Sequence, residues 1–77
     1  MSIVYFCSMN NYQEVLKQIG HAFRIERAKQ NLSQEKFAEK AQVHTNYIGK
    51  VERGEQNLTI KKIVELTNSI NISILKI

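Results

Sequence analysis

Ser33-Gln34-Glu35-Lys36-Phe37-Ala38-Glu39-Lys40-Ala41-Gln42-Val43-His44-Thr45-Asn46-Tyr47-Ile48-Gly49-Lys50-Val51-Glu52-Arg53-Gly54 reads as two short helices meeting at a tight turn. Counted from Gln34, the apolar or small residues Phe37, Ala38, Ala41, Val43, Ile48 and Val51 fall where two crossing helices need their inner contacts. Ala38 matters most, because a small side chain there lets the second helix pack close across the first. A helix propped outward in this way fits the major groove of B-DNA.

The same stretch resembles the Cro/repressor-type (XRE) helix-turn-helix family. Ser33-Gln34-Glu35, Tyr47-Ile48 and Val51-Glu52-Arg53-Gly54 match its signature, and the resemblance extends over residues 15 to 72. The chain length and Asn57-Leu58-Thr59-Ile60-Lys61 are further similar to small controller proteins of restriction–modification systems. The resemblance implies an all-α, repressor-like bundle of four to five helices spanning residues 11 to 77. Residues 1 to 10 then form an N-terminal extension, an arm or a leader.

With 77 residues, 43% hydrophobic and no proline, the chain suits one compact helical domain with a small core. A single cysteine, Cys7, forms no internal disulfide, so packing must hold the fold, as expected in a reducing cytoplasm. His21, His44 and Cys7 do not combine into a metal site. The net charge of +4 becomes informative through its placement: Lys36, Lys40, Lys50, Arg53, Lys61 and Lys62 lie in and just after the decisive stretch. No apolar run reaches the ~18 residues of a membrane span, and Met1 to Met9 lacks the basic start of a signal peptide.

Ile3-Val4-Tyr5-Phe6-Cys7 favours extended structure and has no partner strand elsewhere. Pairing with a twin across a dimer axis, packing on the helices, and a leader preceding a natural start at Met9 are all open. Asn10 or Asn11 can cap a first helix running to about Gln30, with Val15, Leu16, Ile19, Ala22 and Phe23 on one side. Asn31 suits a left-handed residue at its end, and Ser33 caps the next helix. Gln42 stands where the family usually has glycine, at a turn position of positive φ, at a cost of about 1 kcal/mol. His44 is the expected cap of the outward helix, Thr45 to Arg53, which Gly54 ends. Thr59 caps a fourth helix with Ile60, Ile63, Leu66, Thr67 and Ile70 at helical spacing. Ile74 to Ile77 reads as the first turn of a fifth.

Residues at the start of an outward helix reach base edges. Asn46 can pair bidentately with adenine and Thr45 can meet a thymine methyl, while Lys50 can reach guanine or a phosphate. Tyr47 fits base contact and packing beside Ile48 equally well. The resemblance implies base reading from positions matching Thr45, Asn46, Gly49 and Lys50. Gly49, lacking a side chain, is expected instead to let a backbone phosphate approach. Gln34 looks like the family's phosphate clamp at a helix N-terminus, with Arg53, Asn57 and Lys61 as further phosphate partners. The resemblance also implies a partly buried ion pair between Arg27 and Glu52.

No phosphate loop, carboxylate pair or activated nucleophile is present, so the sequence points away from enzymatic chemistry and from any cofactor. The chain reads as a sequence-specific DNA-binding transcriptional regulator, either a restriction–modification controller or a small phage-like repressor. Its expected partner is double-stranded DNA, bound by a homodimer at a palindromic operator; no membrane or small-molecule partner is implied. Dimerisation is expected through the aliphatic tail, Ile70, Ile72, Ile74, Leu75 and Ile77, which lacks evident internal partners. The alternative is a protein-interaction module, antitoxin-like or an adaptor, using the same fold.

Overall fold

The computed structural model describes residues 11–77. The expectations for residues 1 to 10, arm or leader, lie outside the described residues. Four α-helices follow in order: α1, Tyr12–Lys29; α2, Gln34–Ala41; α3, Thr45–Glu52; and α4, Ile60–Ser69. A 3-10 turn, Ile74–Lys76, closes the chain where a fifth helix was expected.

Each helix begins on a side-chain acceptor. Asn11 Oδ1 accepts from the Glu14 N–H at 3.1 Å, Ser33 Oγ from Lys36 at 3.0 Å, His44 Nδ1 from Asn46 at 3.1 Å and Thr59 Oγ1 from Lys62 at 3.1 Å. Such caps satisfy amide groups the helix itself cannot, each contributing about 1 kcal/mol.

The four ends share one solution as well. Asn31, Gln42, Gly54 and Asn71 take left-handed φ of 57°, 59°, 74° and 57°. In each case the next residue's N–H turns back onto the helix: Leu32 to the Arg27 carbonyl, Val43 to Ala38, Glu55 to Lys50 and Ile72 to Thr67, at 2.8–3.1 Å. Leu32, Val43 and Ile72 then tuck against the core, the apolar contact that accompanies this motif. The strained Gln42 is therefore real, and its neighbour Val43 is what the turn delivers inward.

The core gathers Ile19 and Phe23 of α1, Phe37 and Ala38 of α2, Ile48 and Val51 of α3, and Ile63 and Leu66 of α4. The rings of Phe23 and Phe37 sit 5.9 Å apart and tilted by 39°, a favourable aromatic geometry. Thr67 is buried and donates its hydroxyl to the Val64 carbonyl at 2.8 Å, so it costs the core little.

Two readings of the C-terminal third are corrected. Ile70 and Ile77 are not free of internal partners: both are buried in the chain's own core. Gln30 Nε2 donates to the Ile70 carbonyl at 2.8 Å, pinning this segment to the end of α1. Ile72 is half-buried, and only Ile74 and Leu75 remain exposed. Ile60, expected in the α4 core row, is 75% exposed, because it occupies the first turn, beyond the reach of the other helices.

Candidate nucleic-acid interface

What fixes α3 from behind is a partly buried polar network. Arg27 Nε donates to Glu52 Oε2 at 2.6 Å and Nη2 to Oε1 at 3.1 Å, a two-point fork of the kind arginine makes with carboxylates. Arg27 Nη1 also donates to the Leu32 carbonyl at 2.7 Å, and Gln34 Nε2 to Glu52 Oε1 at 3.0 Å. The Glu52 side chain is only 4% exposed, so its charge depends on these donors. The ion pair implied by the resemblance is thus present, and it ties α1, the start of α2 and the end of α3 together.

Gly20, unnoticed in the sequence, sets how closely α1 crosses α3. A Cβ there would run into the Val51 carbonyl and stand 2.8 Å from that of Glu52, both rigid backbone. A mid-helix glycine costs about 0.5–1 kcal/mol against alanine, and that cost, inside a row containing Ile19 and Phe23, was the available signal.

The front of α3 faces a groove of about 350 Å³ lined by Gln34, Thr45, Asn46, Gly49, Lys50 and Arg53. Six of the nine residues named for DNA contact line this groove. Three do not. Tyr47 is half-buried against the core, with the Lys62 ammonium 5.5 Å from its ring centre. Burial raises its phenol pKa above the ordinary value; the Lys62 charge opposes this and Glu65 adds to it. Of the two roles open to Tyr47 from sequence, base contact and packing, the structure shows the packing one, with Lys62 of α4 over its ring. Asn57 lies in the α3–α4 loop and accepts from the Tyr12 hydroxyl at 3.2 Å, a link between distant segments that sequence reasoning missed. Lys61 stands exposed on the first turn of α4.

His44 caps α3 through Nδ1, which fixes its other ring nitrogen as the N–H. Its acceptor bond goes to the backbone of Asn46, so the cap anchors the stretch that carries the foremost groove residues. At the far end of α3, Arg53 pairs with Glu55, Nε to Oε1 at 3.1 Å. Glu55 had no role in the sequence reading.

An outward helix on a two-helix platform, with amide and cationic side chains along one open face, has the chemistry of base and phosphate recognition. The family comparison agrees: a helix-turn-helix family model matches residues 23–77. The chain belongs to the helix-turn-helix family. It is a DNA-binding transcriptional regulator of XRE type. Among relatives, it is 35% identical over 66 residues to control protein C.SmaI of Serratia marcescens, covering 86% of this chain and 79% of that one. It is 33% identical over 63 residues to control protein C.BamHI of Bacillus amyloliquefaciens, covering 82% and 75%.

Among solved structures, it resembles the restriction-modification controller protein C.AhdI of Aeromonas hydrophila. There the TM-score is 0.74 with 31% identity, over 79% of this chain and 92% of that one. It shares its fold with the clp gene regulator ClgR of C. glutamicum, with a TM-score of 0.75 and 22% identity over 78% of each. Among the described residues no helix is long and apolar enough to cross a membrane.

Proposed function

We propose that the protein acts as a homodimeric control protein of a restriction–modification system, binding an inverted-repeat operator in the cytoplasm. Its work is binding, with no catalytic step. The observation that carries this reading is the shared groove of Gln34, Thr45, Asn46, Gly49, Lys50 and Arg53 on an α3 braced from behind. The names of the relatives support the genetic setting. In this reading α3 enters the major groove, Thr45 and Asn46 meet base edges, and Lys50, Gln34, Asn57 and Lys61 meet base or backbone. Residues 11 to 77 act as one DNA-binding domain, and residues 1 to 10 are an extension to it.

Two copies related by a two-fold axis would place their α3 helices about one helical turn apart, ~34 Å, as an inverted repeat requires. Ile74 and Leu75, 43% and 83% exposed, are the part of the aliphatic tail left for such a contact. Ile72 borders them, while Ile70 and Ile77 support them from the core.

The test is a mobility-shift titration of the full chain on duplex DNA from upstream of its own gene, at several salt concentrations, with sedimentation to give the oligomeric state. With about three to five phosphates neutralised per subunit, affinity should fall by orders of magnitude from ~50 to ~200 mM salt. Ile74→Asp with Leu75→Asp should give a folded monomer with weak operator binding. Salt-independent binding, or a dimer undisturbed by the double substitution, would contradict the reading.

A further inference from the structure

Arg53, the residue that caps the C-terminus of α3, lies one helical turn beyond Gly49 on the groove face. Helical side chains lean toward the N-terminus, so a long residue covers the turn before its own. Arg53 does this: its Nη1 lies 3.2 Å from where a Cβ on Gly49 would stand, and its Cζ lies 4.0 Å from it. The guanidinium thus fills the space that a side chain at position 49 would take. Glu55 Oε1 lies 3.1 Å from Nε, an ion pair between side chains that are each more than half exposed, and it leaves the Nη1 and Nη2 edge for an incoming partner.

That edge matches the O6 and N7 acceptors of guanine in the major groove, or two phosphate oxygens. The carboxylate beside it decides between them. A phosphate contact draws on net positive charge, which the Glu55 carboxylate reduces at this spot. Reading a base edge draws on orientation, toward which the Glu55 contact at Nε and the seat over Gly49 bias the guanidinium. Lys50 and Lys61 take part in no ion pair among the described residues and are the better neutralisers of backbone charge.

We propose that Arg53, laid back over Gly49 and oriented by Glu55, reads a guanine base edge rather than a phosphate. This rests on the DNA-binding reading above. It replaces the phosphate role expected for Arg53 from sequence, and it makes Gly49 a residue that gives up its own side chain so that the next turn's can reach the base. Glu55 is a positioning residue in this arrangement.

The test is selection of preferred sites from a randomised duplex library by the full chain and by Arg53→Lys, Gly49→Ala and Glu55→Gln, with thermal melts of each to establish folding. The wild-type protein should enrich a G·C pair at a fixed position. Arg53→Lys keeps the charge and loses the fork, so preference at that position alone should drop by on the order of tenfold. Gly49→Ala, whose Cβ crowds Nη1, should affect the same position. Glu55→Gln should loosen it while raising affinity for unselected DNA. The proposal is overturned if these variants keep the wild-type base preferences and differ only by a uniform change in affinity, or if preference is lost at every position together. A wild-type protein that enriches no sequence at all would instead overturn the DNA-binding reading on which the proposal rests.

Discussion

Along the inner side of α3, Ile48 and Val51 are fully buried and Glu52 is held by Arg27 and Gln34, whereas along the outer side Thr45, Asn46 and Lys50 border an open groove. The two sides are one residue apart in sequence and differ in what constrains them. Inside, burial of each aliphatic side chain contributes about 1.5–3 kcal/mol, and a carboxylate out of water tolerates few substitutes. Outside, no side chain of the described residues hydrogen-bonds to those of Thr45, Asn46 or Lys50. A regulator built this way can change what it reads without changing how it folds.

The largest effect on the fold should come from the inner side. Arg27→Ala leaves the Glu52 carboxylate buried and unpaired at its main donors, at a cost of roughly 3–5 kcal/mol. Urea unfolding monitored by circular dichroism should show the midpoint collapsing, and a loss below about 1 kcal/mol would mean that the pair does not fix α3. Next comes Gly20→Ala, which forces α1 off the α3 backbone and should destabilise by about 1–3 kcal/mol. An alanine there that leaves the thermal midpoint unchanged would break the claim of close helix contact.

A smaller effect, of opposite sign, belongs to the turn between α2 and α3. Gln42 sits at φ 59°, so Gln42→Gly should stabilise by up to about 1 kcal/mol by relieving the left-handed strain. A destabilised Gln42→Gly would show that the glutamine side chain contributes more than its backbone costs.

Which of these features could be read from the sequence depends on how local they are. The caps Asn11, Ser33, His44 and Thr59 and the left-handed Asn31 are decided within a few residues and were legible there, whereas the left-handed Gln42 was legible through the family's usual glycine at that position. The Arg27–Glu52 pair spans 25 positions and was legible only through the family resemblance. What stayed hidden is set by where distant elements meet. Tyr47 turns to α4 because Lys62 and the core lie there. Ile70 and Ile77 are drawn inward by the fold of the closing segment, although their spacing reads like an exposed tail. Glu55 gains a role only because Arg53 folds back over a bare Gly49.

The most direct test of the contrast between the two sides is made on one variant, Asn46→Ala, measured twice. Asn46 is exposed and lends only its backbone N–H to the His44 cap, which alanine keeps. Urea unfolding should therefore place its stability within about 0.5 kcal/mol of wild type. Site selection from a randomised duplex library should show relaxed preference at one base pair, by about 1–3 kcal/mol of discrimination, with the other positions unchanged. An unchanged preferred sequence, or a stability loss of about 2 kcal/mol or more, would contradict the division of α3 into a side that folds and a side that reads.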